Sequence, residues 1–221
     1  MLRFLLSSAL VLSMLTVQSP EAEACLHSMK RNSDRDMQRL SRAEKALKKG
    51  RFKRAFNLAR RSYSGAVDLG LKKGRKISRI RRSQRRTPWM VKNDRRAMRV
   101  MAVAAVRTGG KIGPRANIVG SKEARTQNLS WAVDRLRDDS KRRPHDSLLK
   151  TRLGEALAAL PRHEKEAKEI LESLAKEDLL ADAHGYAAFA GVLRATGERD
   201  GAEEALNRCR AMARSKSICE L

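Results

Sequence analysis

Apolar residues recur at steps of three and four along most of the chain, the spacing that places them on one face of an α-helix. Within residues 36–49 these positions are Met37, Leu40, Ala43, Ala46 and Leu47. Ser33 is predicted to cap the amino terminus of this helix. Gly50 then interrupts the pattern. It resumes on a second helix at Phe52, Ala55, Phe56, Ala59 and Tyr63. The pattern therefore predicts two antiparallel helices joined at Gly50.

The residue pattern in the middle of the chain predicts the most buried helix of the protein. Thr87 followed by Pro88 is typical of a helix start, because proline at the first turn loses no hydrogen bond there. A nearly uninterrupted run of small and apolar residues then extends to Val106. Two glycines and a loop follow, and Ser121 is predicted to cap a partner helix.

Helical hairpins with similar small residues recur toward the carboxyl terminus. The residues that share the arrangement are Ala43, Gly50, Phe52 and Ala55 in a first unit, Leu153, Gly154, Leu157 and Ala167 in a third, and Ala190, Gly197 and Ala202 in the last. In this the chain resembles the tetratricopeptide repeat, whose units of about 34 residues pair two antiparallel helices. Pro161 replaces the turn glycine of the third unit, which departs from the pattern. The resemblance implies a short right-handed solenoid of about four hairpins.

Composition favours an all-α fold. Aromatic residues are 4% of the chain, so the core must be built from Leu, Ala, Val and Met. Small side chains suit closely approaching helices better than a β-sandwich, whose strands favour aromatic and β-branched residues. The predicted divisions are a signal peptide at 1–24, a first hairpin at 25–68, a basic linker or arm at 69–88, a second hairpin at 89–144 and two tetratricopeptide-like hairpins at 145–221.

The first 24 residues have the pattern of a secretory signal peptide. Arg3 precedes an apolar run over residues 4–17, and residues 22–24, Ala-Glu-Ala, resemble a cleavage site. The apolar run is shorter than the roughly 20 residues that a membrane-spanning helix needs. Cys25 follows directly, which leaves open lipid attachment at Cys25 as in a bacterial lipoprotein. The sequence therefore predicts export to the periplasm or cell envelope, with a membrane anchor at Cys25 as the alternative.

Positive charge is concentrated in the middle of the chain. The formal net charge is +24, of which residues 69–118 carry +15, whereas residues 145–221 carry −2. Residues 72–86, here called the basic arm, hold nine Lys or Arg and no acid. A field of this kind attracts anionic partners. The predicted anion-binding residues are Lys72, Lys73, Arg75, Lys76, Arg79, Arg81, Arg82, Arg85 and Arg86.

The predicted anionic partner of the basic arm is a lipid or an envelope polymer. Only Ile77 and Ile80 offer apolar contact within the arm, so binding would be electrostatic and sensitive to salt. A solvated linker is the alternative interpretation. Nucleic acid is disfavoured because the arm has no aromatic residue on which bases could stack, and because a signal peptide directs the chain out of the cytoplasm.

Candidate chemistry is limited to the cysteines. In an oxidising compartment Cys209 and Cys219 could form a disulfide. The alternative is a buried, reduced Cys209 beside a frayed terminus. No Cys/His cluster has metal-binding spacing, so no metal or cofactor is predicted. The histidines have no triad-like neighbour, and glutamates such as Glu155 are interpreted as i,i+4 partners of lysines, so no enzymatic activity is predicted.

The resemblance also implies a partner-binding face along the first helix of each hairpin. By position this face holds Lys48, Thr151, Glu155, His184 and Arg194, together with Leu40 and Glu44. Solvated helix positions are the alternative interpretation. We therefore expect a non-enzymatic scaffold of the bacterial cell envelope that binds a protein or peptide. A nucleic-acid-binding protein and an envelope enzyme are the alternatives, and the oligomeric state stays open.

Overall fold

A computed structural model of the chain describes residues 20–64, 88–114 and 121–220, with side chains from residue 34 onward. Every regular element within those ranges is helical. The elements are α1 (Pro20–Lys48), α2 (Phe52–Ser62), α3 (Pro88–Val106), α4 (Lys122–Arg142), α5 (Ser147–Ala158), α6 (Glu164–Lys176), α7 (Ala183–Ala195), α8 (Arg199–Met212) and a 3-10 turn at Lys216–Ile218. The predicted all-α fold is confirmed for these residues. The packing described below is that of the unit Asp36–Leu221.

Helix α1 starts well before the predicted position. It begins at Pro20, so Ser33 lies inside the helix instead of capping it. Proline is favourable in a first helical turn because an N–H group at that position would have no hydrogen-bond partner within the helix. No further proline and no glycine occur before Gly50, so no helix-breaking residue separates Ser33 from Pro20. The predicted cap at Ser33 is therefore wrong, and the backbone of Cys25 also lies within α1.

Helix α3 is enclosed on all sides in its carboxyl-terminal half. Residues 100–106 each keep 6% or less of their accessible surface. Seven consecutive residues cover every side of an α-helix, because one turn takes 3.6 residues. This is the strongly buried helix that the sequence predicted to open at Pro88. None of the described helices combines the length and the apolar character that crossing a bilayer requires.

Turn and capping residues fix where the other helices meet. Gly50 has φ +70° between α1 and α2, and Gly197 has φ +86° between α7 and α8. Ser121 caps α4 as predicted, since its hydroxyl accepts a hydrogen bond of 3.0 Å from the backbone N–H three residues later. Asp146 and Asp182 cap α5 and α7 in the same way. Each cap satisfies a backbone donor that the helix itself cannot.

The helices pack in chain order, with additional contacts between odd-numbered helices. Each helix from α2 to α7 contacts the next one, and α5 also contacts both α3 and α7. Arg96 of α3 links α1 to this set, because its guanidinium donates two hydrogen bonds of 2.6 Å to the Glu44 carboxylate. The buried residues form two cores, one mainly from α1 to α5 and one mainly from α6 to α8.

Ala202 lies in the tightly packed contact between α8 and α7, where it is 1% exposed. Enlarging it to Leu should overpack this contact and lower the free energy of unfolding by about 1 to 3 kcal/mol. Ala211 is exposed on the same helix, so Ala211→Leu is the matched control and should change stability by less than about 0.5 kcal/mol. Urea unfolding measures both variants, and equal losses would mean that the contact tolerates a larger side chain.

Cys209 and Cys219 form a disulfide in the structure, with their Cα atoms 6.0 Å apart. Cys209 is fully buried on α8, and Cys219 follows the 3-10 turn at Lys216–Ile218. The 3-10 turn contacts α7, and both cysteines belong to the second core. The disulfide therefore attaches the last residues of the chain to the α7–α8 hairpin.

Replacing Cys209 and Cys219 together with Ala should lower the free energy of unfolding by about 2 to 3 kcal/mol, because the cross-link restricts the unfolded chain. The unreduced protein, unfolded in denaturant, should show no reaction of either cysteine with a thiol reagent. Reaction at both positions before reduction would contradict the pairing. Intact mass before and after reduction provides an independent check.

Candidate binding surfaces

Arg107 lies directly after α3 and forms the centre of a buried ion-pair network. Its Nε donates a hydrogen bond of 2.8 Å to Glu155 Oε1, and its Nη2 donates one of 3.1 Å to Glu155 Oε2. The same Nη2 donates a hydrogen bond of 2.8 Å to Asp182 Oδ2. The side chains of Arg107 and Glu155 are only 7% and 8% exposed. One guanidinium therefore joins the end of α3 to α5 and to the cap of α7.

The network keeps Arg107 and Asp182 charged in spite of burial. Burial opposes the charge of Arg107, but the carboxylates of Glu155 and Asp182 outweigh it and raise the pKa of Arg107. Burial likewise opposes the charge of Asp182, yet Arg107 and the Gly185 backbone N–H hold the pKa of Asp182 below its usual value. Such pairs offset the cost of removing charges from water only while every partner is present.

Two further groups of the network are less completely paired. Burial and the nearby charge of Arg107 lower the pKa of Arg152 on α5. Its Nε is buried and has no hydrogen-bond partner among the described residues. Burial and Arg107 also lower the pKa of His184 on α7. The His184 ring packs edge-on against Phe52 of α2, with the ring centroids 6.2 Å apart. Phe52 of α2 therefore lies beside His184 at the edge of this network.

The structure corrects the predicted partner-binding face. Thr151 is fully buried, and its hydroxyl donates to the Ser147 carbonyl and accepts from the Ala181 N–H. Glu155 is buried by its pairing with Arg107, which lies 48 residues away, so the prediction of local i,i+4 pairing with lysine is also wrong. Leu40 is buried in the first core as well. Because these side chains face neighbouring helices, they are not available to a partner.

The remaining positions of that predicted face are accessible to different degrees. Lys48 and Arg194 are exposed, and His184 is half-buried against Phe52. Glu44 is paired with Arg96, which lowers the pKa of the Glu44 carboxyl through hydrogen bonding with Arg96. Of the residues implied by the resemblance, only Lys48 and Arg194 are exposed and form no ion pair with any described residue.

The first hairpin presents a basic surface that the sequence interpretation did not single out. Eight cations and no acid occur over residues 45–61. Seven of the side chains, here called the hairpin cations, are exposed and form no ion pair with any described residue. They are Lys45, Lys48, Lys49, Arg51, Lys53, Arg54 and Arg61. Their number can be counted in the sequence. Only the fold shows that no described acid forms an ion pair with them.

A wide cleft of about 830 Å³ opens beside α2 within this basic surface. Half-buried Phe52 and Leu58 form its apolar part, and exposed Arg51, Arg54 and Arg61 surround them. Thr108, from the turn after α3, and Asn57 also line it. The cleft thus combines apolar surface, hydrogen-bonding groups and several positive charges.

Several predicted sites lie outside the described residues. They include the whole basic arm from Lys72 to Arg86 and the apolar run of the predicted signal peptide. The side chain of Cys25 is also outside them. Within the described part of the chain, no three His, Cys, Asp or Glu side chains are grouped so that they could hold a metal ion. No protein-family model, curated protein or solved structure matches this chain.

Proposed function

We propose that this chain is an exported, non-enzymatic scaffold of the bacterial cell envelope that binds a protein or peptide partner. Its basic segments hold it near anionic lipid or polymer. The architecture proposed for it is a short right-handed solenoid of four tetratricopeptide-like hairpins. Contacts of α3 with α5 and of α5 with α7 support this, because stacked repeats place equivalent helices side by side.

The way in which the chain distributes its cations carries the proposal. Arginines that join helices are paired with acids, as in Arg99 with Asp139 and Arg137 with Glu166. The hairpin cations have no such partner among the described residues. Clustered like charges repel one another and weaken the folded state, and no acid among the described residues forms an ion pair that would offset the repulsion among the hairpin cations. Binding of an anionic partner would offset this repulsion.

Export is tested by fractionation and intact mass. The proposal expects recovery from the cell envelope and a mass corresponding to cleavage after Ala24, or to acyl chains on Cys25. Recovery from the cytoplasm with Met1 intact would contradict export and would favour the nucleic-acid-binding alternative. The same mass measurement separates lipid attachment from simple cleavage.

Anion binding by the basic arm is tested on vesicles of phosphatidylglycerol. A variant with five arginines of the arm replaced by Ser should lose retention while its helix content stays unchanged, since each cation near an anionic surface contributes about 1 kcal/mol. The replaced residues are Arg79, Arg81, Arg82, Arg85 and Arg86. Raising the salt concentration should have the same effect, because charges in solution are screened within about 10 Å at 0.1 M salt.

A matched control removes five exposed cations elsewhere. It replaces Lys141, Arg142, Arg199, Arg214 and Lys216 with Ser. Full retention of this control together with loss for the arm variant would locate the interaction in the arm. Equal loss for both variants would mean that only the total charge matters. Unchanged retention of the arm variant would mean that the arm is a linker.

A further inference from the structure

The cleft beside α2 has a composition that is specific enough to indicate a ligand. Phe52 and Leu58 are large apolar side chains that remain half-exposed at its centre, although both also pack against the first core. Arg51, Arg54 and Arg61 are exposed around them. None of the described residues that line the cleft is acidic, so its positive charge is not neutralised from within.

Each part of the cleft favours a different part of a ligand. Guanidinium groups bind carboxylates through two parallel hydrogen bonds. The apolar centre gains free energy only when an apolar group covers it. The amide of Asn57 can donate to and accept from a peptide backbone. A volume of about 830 Å³ lies within the range of roughly 300 to 1,000 Å³ for small-ligand sites, so it suits a short segment instead of a folded domain.

We propose that this cleft binds a short acidic peptide segment of a partner protein, with carboxylates on the arginines and a large apolar side chain on Phe52 and Leu58. The site lies on the second helix of the first hairpin and on the turn after α3, outside the face that the repeat resemblance implies. It rests on the proposed function in taking the chain to be a binding protein, and it names the chemistry of the partner.

The shape and chemistry of the cleft favour a peptide over the other polyanions. The phosphate groups of a bilayer surface would pair with the arginines but would not cover the apolar side chains of Phe52 and Leu58. A nucleic acid strand would use stacking on several aromatic faces, but Phe52 is the one aromatic residue among the described residues that line the cleft. An acidic peptide with an apolar residue uses both the charged and the apolar parts.

The test uses the full chain and two blocked hexapeptides in fluorescence anisotropy at 0.15 M salt. The first peptide has four glutamates around a central Leu-Phe pair, and the second replaces that pair with Ala-Ala. The first should bind at least tenfold more tightly than the second, because it alone covers the apolar centre. Equal affinities would overturn the proposal, since only non-specific charge attraction would remain. Tighter binding of a single-stranded oligonucleotide than of the first peptide would also overturn it.

Variants locate the site. Arg54→Glu together with Arg61→Glu should weaken binding of the first peptide at least tenfold, whereas the matched reversal Arg199→Glu with Arg214→Glu should leave it within about twofold. Leu58→Gln keeps the side-chain size and should remove the preference for the Leu-Phe peptide. An unchanged preference in Leu58→Gln would place the peptide elsewhere and overturn the proposal. Thermal melts followed by circular dichroism verify that each variant is folded.

The vesicle experiment distinguishes failure of this proposal from failure of the proposed function. Retention on vesicles without a preference between the peptides would overturn the cleft assignment while leaving anion binding intact. A preference for the Leu-Phe peptide that Leu58→Gln removes would support the cleft whether or not vesicles retain the protein.

Discussion

Replacing Arg107 with Met is expected to lower the free energy of unfolding by about 3 to 5 kcal/mol, because it leaves buried carboxylates without their cation. Glu155, 8% exposed, would lose both of its hydrogen bonds from Arg107. Asp182 is 34% exposed and can be partly solvated, so most of the loss should come from Glu155. Chemical denaturation of the purified variant measures the change.

Two further variants separate this effect from a general loss of charge. Arg137→Met breaks an exposed pair, in which the side chains of Arg137 and Glu166 are 33% and 41% exposed, and should cost less than about 1 kcal/mol. Arg107→Met combined with Glu155→Leu removes both buried charges and should recover much of the stability, because Asp182 then compensates Arg152. A double variant less stable than Arg107→Met by a further few kcal/mol would contradict this account.

Gly110→Ala is the second substitution from which we expect a large effect. Gly110 has φ +73°, and a Cβ at this position would lie 2.3 Å from the backbone oxygen of Arg125 on α4. A helix backbone cannot yield as a flexible side chain can. The left-handed conformation costs alanine about 1 to 2 kcal/mol, and overpacking adds about 1 to 3 kcal/mol. We therefore expect a loss of about 2 to 5 kcal/mol in the free energy of unfolding.

The contacts of this turn with α4 make the effect specific. The buried side chain of Asn128 donates a hydrogen bond of 2.9 Å to the carbonyl of Gly110, and a turn displaced by the new methyl group would lose it. Gly197→Ala is the matched control, since Gly197 has φ +86° but open space around its Cβ position. It should lose only the conformational part, about 1 to 2 kcal/mol. Equal losses in the two variants would mean that the close approach to Arg125 has no energetic effect.

The sequence located most of the described helices because their cause is local. Apolar spacing depends on residues three and four apart, so α2, α3 and α4 were predictable without knowledge of their neighbours. Caps and turns are local as well, which explains why Ser121 and Gly50 were assigned correctly. The predicted cap at Ser33 failed because a capping residue is also compatible with a helix interior. No proline or glycine lies between Pro20 and Ser33, so the sequence does not show whether Ser33 begins a helix or lies inside one.

The sequence by itself thus determined the helical class, the positions of most of the described helices and the excess of positive charge. Only the tertiary structure decided which charged side chains form ion pairs inside the fold. Arg107 pairs with residues 48 and 75 positions away, and no local pattern relates such positions. The same long-range packing buries Thr151 and Glu155 while it leaves Arg54 and Arg61 exposed beside Leu58. Charge can be counted along a chain, but its pairing depends on distance and burial, which the packing of the helices sets.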